Sequence, residues 1–62
     1  MSLYQVLILD LDNVYSTYIY SENKGKAIEK IRERYRKNGD SRALSRMTAI
    51  RINEEKLIWE WI

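Results

Sequence analysis

The chain contains no cysteine, no histidine and no proline. Without cysteine there is no disulfide framework, no thiolate nucleophile and no structural zinc site of the usual thiolate kind. Without histidine the commonest general base and metal ligand is also missing. Long apolar runs are scarce too: the longest nearly uncharged stretch, residues 1–9, is far short of the ~20 residues that span a bilayer. No basic region follows Met1. The expectation is a cytoplasmic protein with no membrane partner and no cofactor.

What is present fits one small domain of 62 residues. At this size apolar burial and the cost of ordering the chain nearly cancel. With no disulfide to help, a partner subunit is the obvious reserve, and a homodimer is expected. The net charge of +2 conceals an asymmetry. Residues 24–46 hold nine basic side chains against Glu29, Glu33 and Asp40, a local balance of +6; the rest of the chain stands at −4. A basic middle suits either an acidic partner or plain solvation of a helix face.

Residues 3–11 are almost wholly apolar, and residues 14–20, VYSTYIY, are rich in β-branched and aromatic side chains, as strands prefer. Asp12 and Asn13, between the two runs, both tolerate positive φ. The pattern predicts a hairpin turning at 12–13. Ser21 or Asn23 then offers a helix N-cap. Ala27, Ile28, Ile31 and Tyr35 form one apolar stripe at helical spacing, with Glu33–Lys37 and Glu29–Arg32 as expected pairs. Asn38-Gly39 supplies the stop. Residues 42–52 alternate, with Leu44, Arg46, Thr48, Ile50 and Ile52 on one face and Ala43, Ser45, Met47, Ala49 and Arg51 on the other; the early part also suits a helix. After a turn at 53–55, residues 56–62 alternate again, and Leu57, Trp59 and Trp61 share a face. The expected order is ββαββ, an α+β fold of two hairpins with one helix packed on one face of an antiparallel sheet.

Both faces of the first strand are apolar: Leu3, Leu7, Leu9 and Leu11 on one, Tyr4, Val6 and Ile8 on the other. Strands of that kind are normally covered on both sides. One helix covers only one. The other face, or a sheet edge, is expected to be buried against a second copy or a target protein.

The stretch VLILDLDNV, residues 6–14, is similar to the first motif of the haloacid-dehalogenase-like phosphatases, with Asp10, Asp12 and Val14 at the motif positions. That resemblance implies an aspartyl nucleophile, a second aspartate handling the leaving-group proton, and Mg²⁺ held by further acidic residues on a Rossmann-like sheet. The chain departs from it. It has no length for such a sheet, and Val14 runs at once into a second strand. Asp10 and Asp12 are therefore read as strand-ending turn residues, and no catalysis is expected.

Two binding readings remain. In the first, the partner is nucleic acid: Lys30, Arg34 and Lys37, with Arg32 and Arg36 beside them, contact phosphates, and Tyr15, Tyr18, Tyr20, Trp59 and Trp61 supply stacking platforms. In the second, the partner is a protein. The segment VYSTYIYSENKGKAIEKIRERYRK, residues 14–37, joins a Tyr-rich strand, a polar cap and an Ala-Ile-Glu-Lys-Ile helix start. In this it resembles the short ββαββ accessory proteins encoded by bacteriophages. The resemblance implies a non-catalytic inhibitor that occludes a bacterial protein, either a host enzyme or a component of antiviral defence. The contact is then expected on Arg32, Arg36 and Lys37 of the helix, or on Trp59 and Trp61, which equally suit the protein's own core or dimer seam.

Overall fold

The computed structural model describes residues 1–53. Two strands, β1 (Ser2–Asp10) and β2 (Asn13–Ser21), precede the helix α1 (Lys24–Lys37). A 3-10 turn (Ser41–Leu44) then leads to β3 (Arg46–Arg51). Both strand pairs are antiparallel and the sheet order is β2-β1-β3. The fold is α+β, as expected, but its order among the described residues is ββαβ rather than ββαββ. The expected fourth strand, with Trp59 and Trp61, lies outside the described residues.

The hairpin forms where the two β-rich runs meet, one residue earlier than expected. Asp10 pairs with Asn13, so the turn residues are Leu11 and Asp12 rather than Asp12 and Asn13. The cross-strand pairs explain the choice. In this register Tyr4 lies opposite Ile19 and Ile8 opposite Tyr15. The expected turn would have set Tyr4 opposite Ser21 and Asp10 opposite Tyr15, trading apolar pairs for mixed ones. The cost falls on Leu11, which adopts φ 49° and is fully exposed. That region costs an L-residue with an ordinary side chain roughly 1–2 kcal/mol.

The helix begins where Asn23 caps it, accepting the Lys26 backbone N–H at 2.8 Å. It ends in a Schellman motif. Gly39 at φ 66° donates to the Arg36 carbonyl, and Asp40 donates to the Tyr35 carbonyl. Arg34, Arg36 and Lys37 complement the helix dipole in the last turn. The helix is about 21 Å long at 1.5 Å per residue, enough to lie along one face of the sheet.

On that face the period-2 alternation of the strands meets the helical stripe. Tyr4, Val6 and Ile8 of β1, Ala49 of β3, and Ala27 and Ile31 of α1 form the buried core, with Ile19, Ile28, Tyr35 and Met47 packed around it. Ile8 and Ile31 are among its largest fully buried side chains. So small a core leaves little margin. Ile31→Ala is expected to cost about 2–5 kcal/mol, read as loss of the cooperative urea transition or a large fall in its midpoint. Leu11→Asn, which relieves the strained turn, is expected to raise stability by roughly 0.5–1 kcal/mol; an unchanged urea midpoint would show that the turn carries no strain.

Candidate interaction surfaces

The alternation that buries Tyr4, Val6 and Ile8 sends Leu3, Gln5, Leu7 and Leu9 to the opposite face of β1. The register brings Tyr20, Tyr18, Ser16 and Val14 of β2 beside them on one flank, and Ile50, Thr48 and Arg46 of β3 on the other. Ile52 extends this row, donating its N–H to the Leu3 carbonyl at 2.9 Å. No described element packs on this open face. Val14, Tyr18 and Tyr20 are more than half exposed, and Leu9 and Ile50 only slightly less so. Strand spacing makes the face about 10 Å between its outer strands and roughly 20 Å along them. Of its side chains only Arg46, at one corner, is charged.

The cations gather on the other side of the sheet, on α1, and divide there into two rows. Arg32 and Arg36 lie toward the 3-10 turn. Arg32 is half-buried and donates through Nη2 to the Ser45 carbonyl at 3.3 Å, while its buried Nε meets no acceptor. Arg36 pairs with Glu33 at 2.8 Å, so the expected Glu33–Lys37 pair gives way to the i,i+3 contact. Arg32 is thus tied into the fold, while Arg36 holds only an exposed pair on its own helix. Lys30 and Arg34 form the second row, toward β2, with Lys26 and Lys37 further out on the helix. Lys26 pairs with Glu22 at 2.8 Å, and Lys30 donates to the Tyr20 carbonyl at 3.4 Å. Arg34 and Lys37 make no ion pair among the described residues. The side chains of Tyr18 and Tyr20, expected to stack nucleic-acid bases beside these cations, point to the opposite face of the sheet from the helix. Trp59 and Trp61 lie outside the described residues.

The most connected polar site, Arg42, was not among the residues the sequence patterns singled out. Its guanidinium carbon lies 4.8 Å from the ring centre of Tyr15 and 4.8 Å from that of Tyr35. Asp40 takes its Nε at 3.0 and 3.1 Å and its Nη2 at 2.5 Å, and Asp40 Oδ1 also accepts the Arg42 backbone N–H at 2.9 Å. One side chain thus ties β2, the helix C-terminus and the 3-10 turn together. The Arg42 side chain, followed by its backbone N–H, holds the Asp40 carboxyl below its usual range, and Asp40 in turn raises Arg42. The signal for this site was Asp-Ser-Arg directly after a helix-stopping Asn-Gly, together with two tyrosines whose faces a guanidinium can stack on.

Asp10 closes the β1 end of the hairpin and Asp12 sits in its exposed turn, so the aspartates of the phosphatase-like motif stand on a tight antiparallel connection. No cluster of three or more metal-ligating side chains occurs among the described residues. No described helix is long and apolar enough to cross a membrane. No protein-family model, no curated protein and no solved structure matches the chain.

The Asp40–Arg42 pair makes a pH prediction whose sign is set by the lowered carboxyl. A depressed folded value means the contribution is fully present above the unfolded carboxyl range, about pH 4, and is lost as pH falls through the lower folded value. Asp40→Asn should therefore be less stable than wild type at pH 7, with a gap that narrows only below about pH 4. Urea midpoints across that range check it; equal midpoints at pH 7 would remove Asp40 from the account.

Proposed function

We propose that the chain is a non-catalytic protein-binding module that acts by occluding its target, a bacterial host or antiviral-defence protein of the kind the phage-type resemblance implies. One observation carries this reading: a three-stranded sheet whose second face displays Leu3, Leu7, Leu9, Val14, Tyr18, Tyr20 and Ile50 with no described element over it. Contiguous apolar patches of several hundred Å² mark interaction sites on small proteins, and tyrosines are frequent anchors in them. The partner that fits is a protein surface with an apolar centre, and a carboxylate at its rim suits Arg46. A second copy of the chain suits the same face, and a cytoplasmic homodimer that opens to its target remains part of the proposal. Nucleic acid fits less well. The cations of α1 and the rings of Tyr18 and Tyr20 lie on opposite sides of the sheet, so no single strand meets both without turning around the β2 edge.

The test is capture from bacterial lysate, with and without nuclease treatment, by wild-type chain, Tyr18→Lys and Arg34→Glu/Lys37→Glu, all checked for folding by circular dichroism. A protein retained by wild type and by the helix variant, but lost with Tyr18→Lys, is the expected result. Retention that nuclease abolishes, or that only the helix variant loses, overturns it.

A further inference from the structure

Among the described residues the open face is one uncovered surface; the outer edge of β2 is another, and it has a direction. A two-residue loop makes its closing pair, Asp10–Asn13, a hydrogen-bonded one. Hydrogen-bonded and non-bonded pairs alternate from there. Asn13, Tyr15, Thr17, Ile19 and Ser21 therefore direct their backbone groups to β1, and Val14, Ser16 and Tyr18 direct theirs outward. The far side of β1 confirms the alternation. Leu3, a member of the odd-numbered set that turns away from β2, accepts from Ile52 beyond β3.

β2 itself carries none of the sequence devices that usually protect an edge strand, and no described element pairs with its outer side. Natural edges carry lysine, proline, a bulge or a short length. β2 is nine residues long, NVYSTYIYS, with no charge and no proline, and it pairs with β1 without interruption. Its neighbours on each side differ sharply. On the helix side stand Lys30, whose ammonium reaches the Tyr20 carbonyl at the end of the edge, and Arg34 one turn on. On the open side stand Val14, Tyr18 and Tyr20.

We propose that the β2 edge binds an extended segment of the target protein as an added antiparallel or parallel strand, one whose side chains alternate acidic and apolar. This deepens the protein-binding reading and rests on it. Backbone groups of Val14, Ser16 and Tyr18 supply the ladder, as in other strand-addition complexes. Period-2 alternation sends the acidic side chains of the segment toward Lys30 and Arg34 and its apolar ones onto the open face beside Tyr18. Charge decides against a second copy at this edge. β2 carries no acid to offer, so pairing two β2 edges would set the Lys30/Arg34 row of one copy toward that of the other.

The test uses the full chain and a fluorescein-labelled peptide in which Glu and Val alternate, read by anisotropy. Three comparisons accompany it: the same peptide with Lys for Glu, the same peptide N-methylated at alternate residues to block one backbone edge, and a single-stranded oligonucleotide. The Glu peptide is expected to bind at least tenfold more tightly than the Lys peptide, a difference of about 1.4 kcal/mol. Lys30→Glu/Arg34→Glu should erase that preference, and N-methylation should abolish binding. Ser16→Pro removes an outward N–H without touching the β1 ladder; a folded Ser16→Pro chain should lose the peptide as well. Equal binding of the N-methylated peptide overturns strand addition, and tighter binding of the oligonucleotide makes the edge a polyanion site. No binding by any probe, or a doubled mass by light scattering that excludes the peptide, also overturns it. If the peptide fails while Tyr18→Lys still loses its captured protein, the edge proposal falls and the open-face reading stands.

Discussion

The arrangement of the described residues follows from a mismatch of coverage: one helix of 14 residues against a sheet with two apolar faces. α1 satisfies one face by setting Ala27 and Ile31 onto Tyr4, Val6, Ile8 and Ala49. It has no second apolar stripe to offer. Apart from Gly25 and the core-flanking Ile28 and Tyr35, its remaining positions are filled by Lys, Arg and Glu, which keep the helix solvated and make one side of the domain cationic while the other stays apolar. The two-sidedness of the surface is thus a direct result of folding a strand-rich chain around a single amphipathic helix.

The helix could sit at many angles on so small a core, and the polar contacts at its C-terminal end restrict the choice. The Schellman turn at Gly39 brings Asp40 back under Tyr35, and Asp40 then fixes Arg42 between the rings of Tyr35 and Tyr15. Because Tyr15 lies opposite Ile8 in the register, this clamp also ties the helix end to the hairpin end of the sheet. Arg32 ties the helix to the end of the 3-10 turn through the Ser45 carbonyl. Two of the nine cations in the basic segment are therefore structural ties, a third is matched with Glu33, and a fourth with Glu22. The helix charge free to meet a partner is narrower than the composition implies: Lys30 and Arg34 lie toward β2, while Arg46 stands apart on β3 at a corner of the open face.

What could be read from the sequence was the local chemistry. The period change from Lys26, a cap at Ser21 or Asn23 (the structure uses Asn23) and the Asn38-Gly39 stop placed the helix, and the alternation read over residues 42–52 gave the faces of β3, which begins at Arg46. The hairpin was legible to within one residue. It slipped because turn propensity favoured Asp12-Asn13, whereas cross-strand pairing of Tyr4 with Ile19 and Ile8 with Tyr15 settled the register and forced Leu11 into the turn. The Arg42 clamp was not legible, since it joins residues far apart in sequence that only the packed helix brings together. The division of the cations into two rows was hidden for the same reason. Side-chain spacing shows which residues share a helix face, but not which flank of the sheet that face meets.

The two unsatisfied surfaces differ in the physics by which they hold a partner. The open face offers burial of apolar area, which salt leaves nearly untouched and which has no preferred direction. The β2 edge offers a backbone ladder, with a charge row beside it whose reach shrinks to about 8 Å at physiological ionic strength. On the proposed reading these act in sequence. Lys30 and Arg34 bias the approach of an acidic segment, the outward groups of Val14, Ser16 and Tyr18 set its register, and its apolar side chains then extend the open face by a fourth strand. Each surface is small by itself: a face about 10 Å wide buries modest area against the entropy lost on association, and an exposed edge strand is poorly selective. Joined at Tyr18, whose backbone belongs to the edge and whose ring belongs to the face, they require a partner that satisfies both at once. Specificity then comes from the coincidence of an alternating sequence with an adjoining apolar surface, rather than from any one contact.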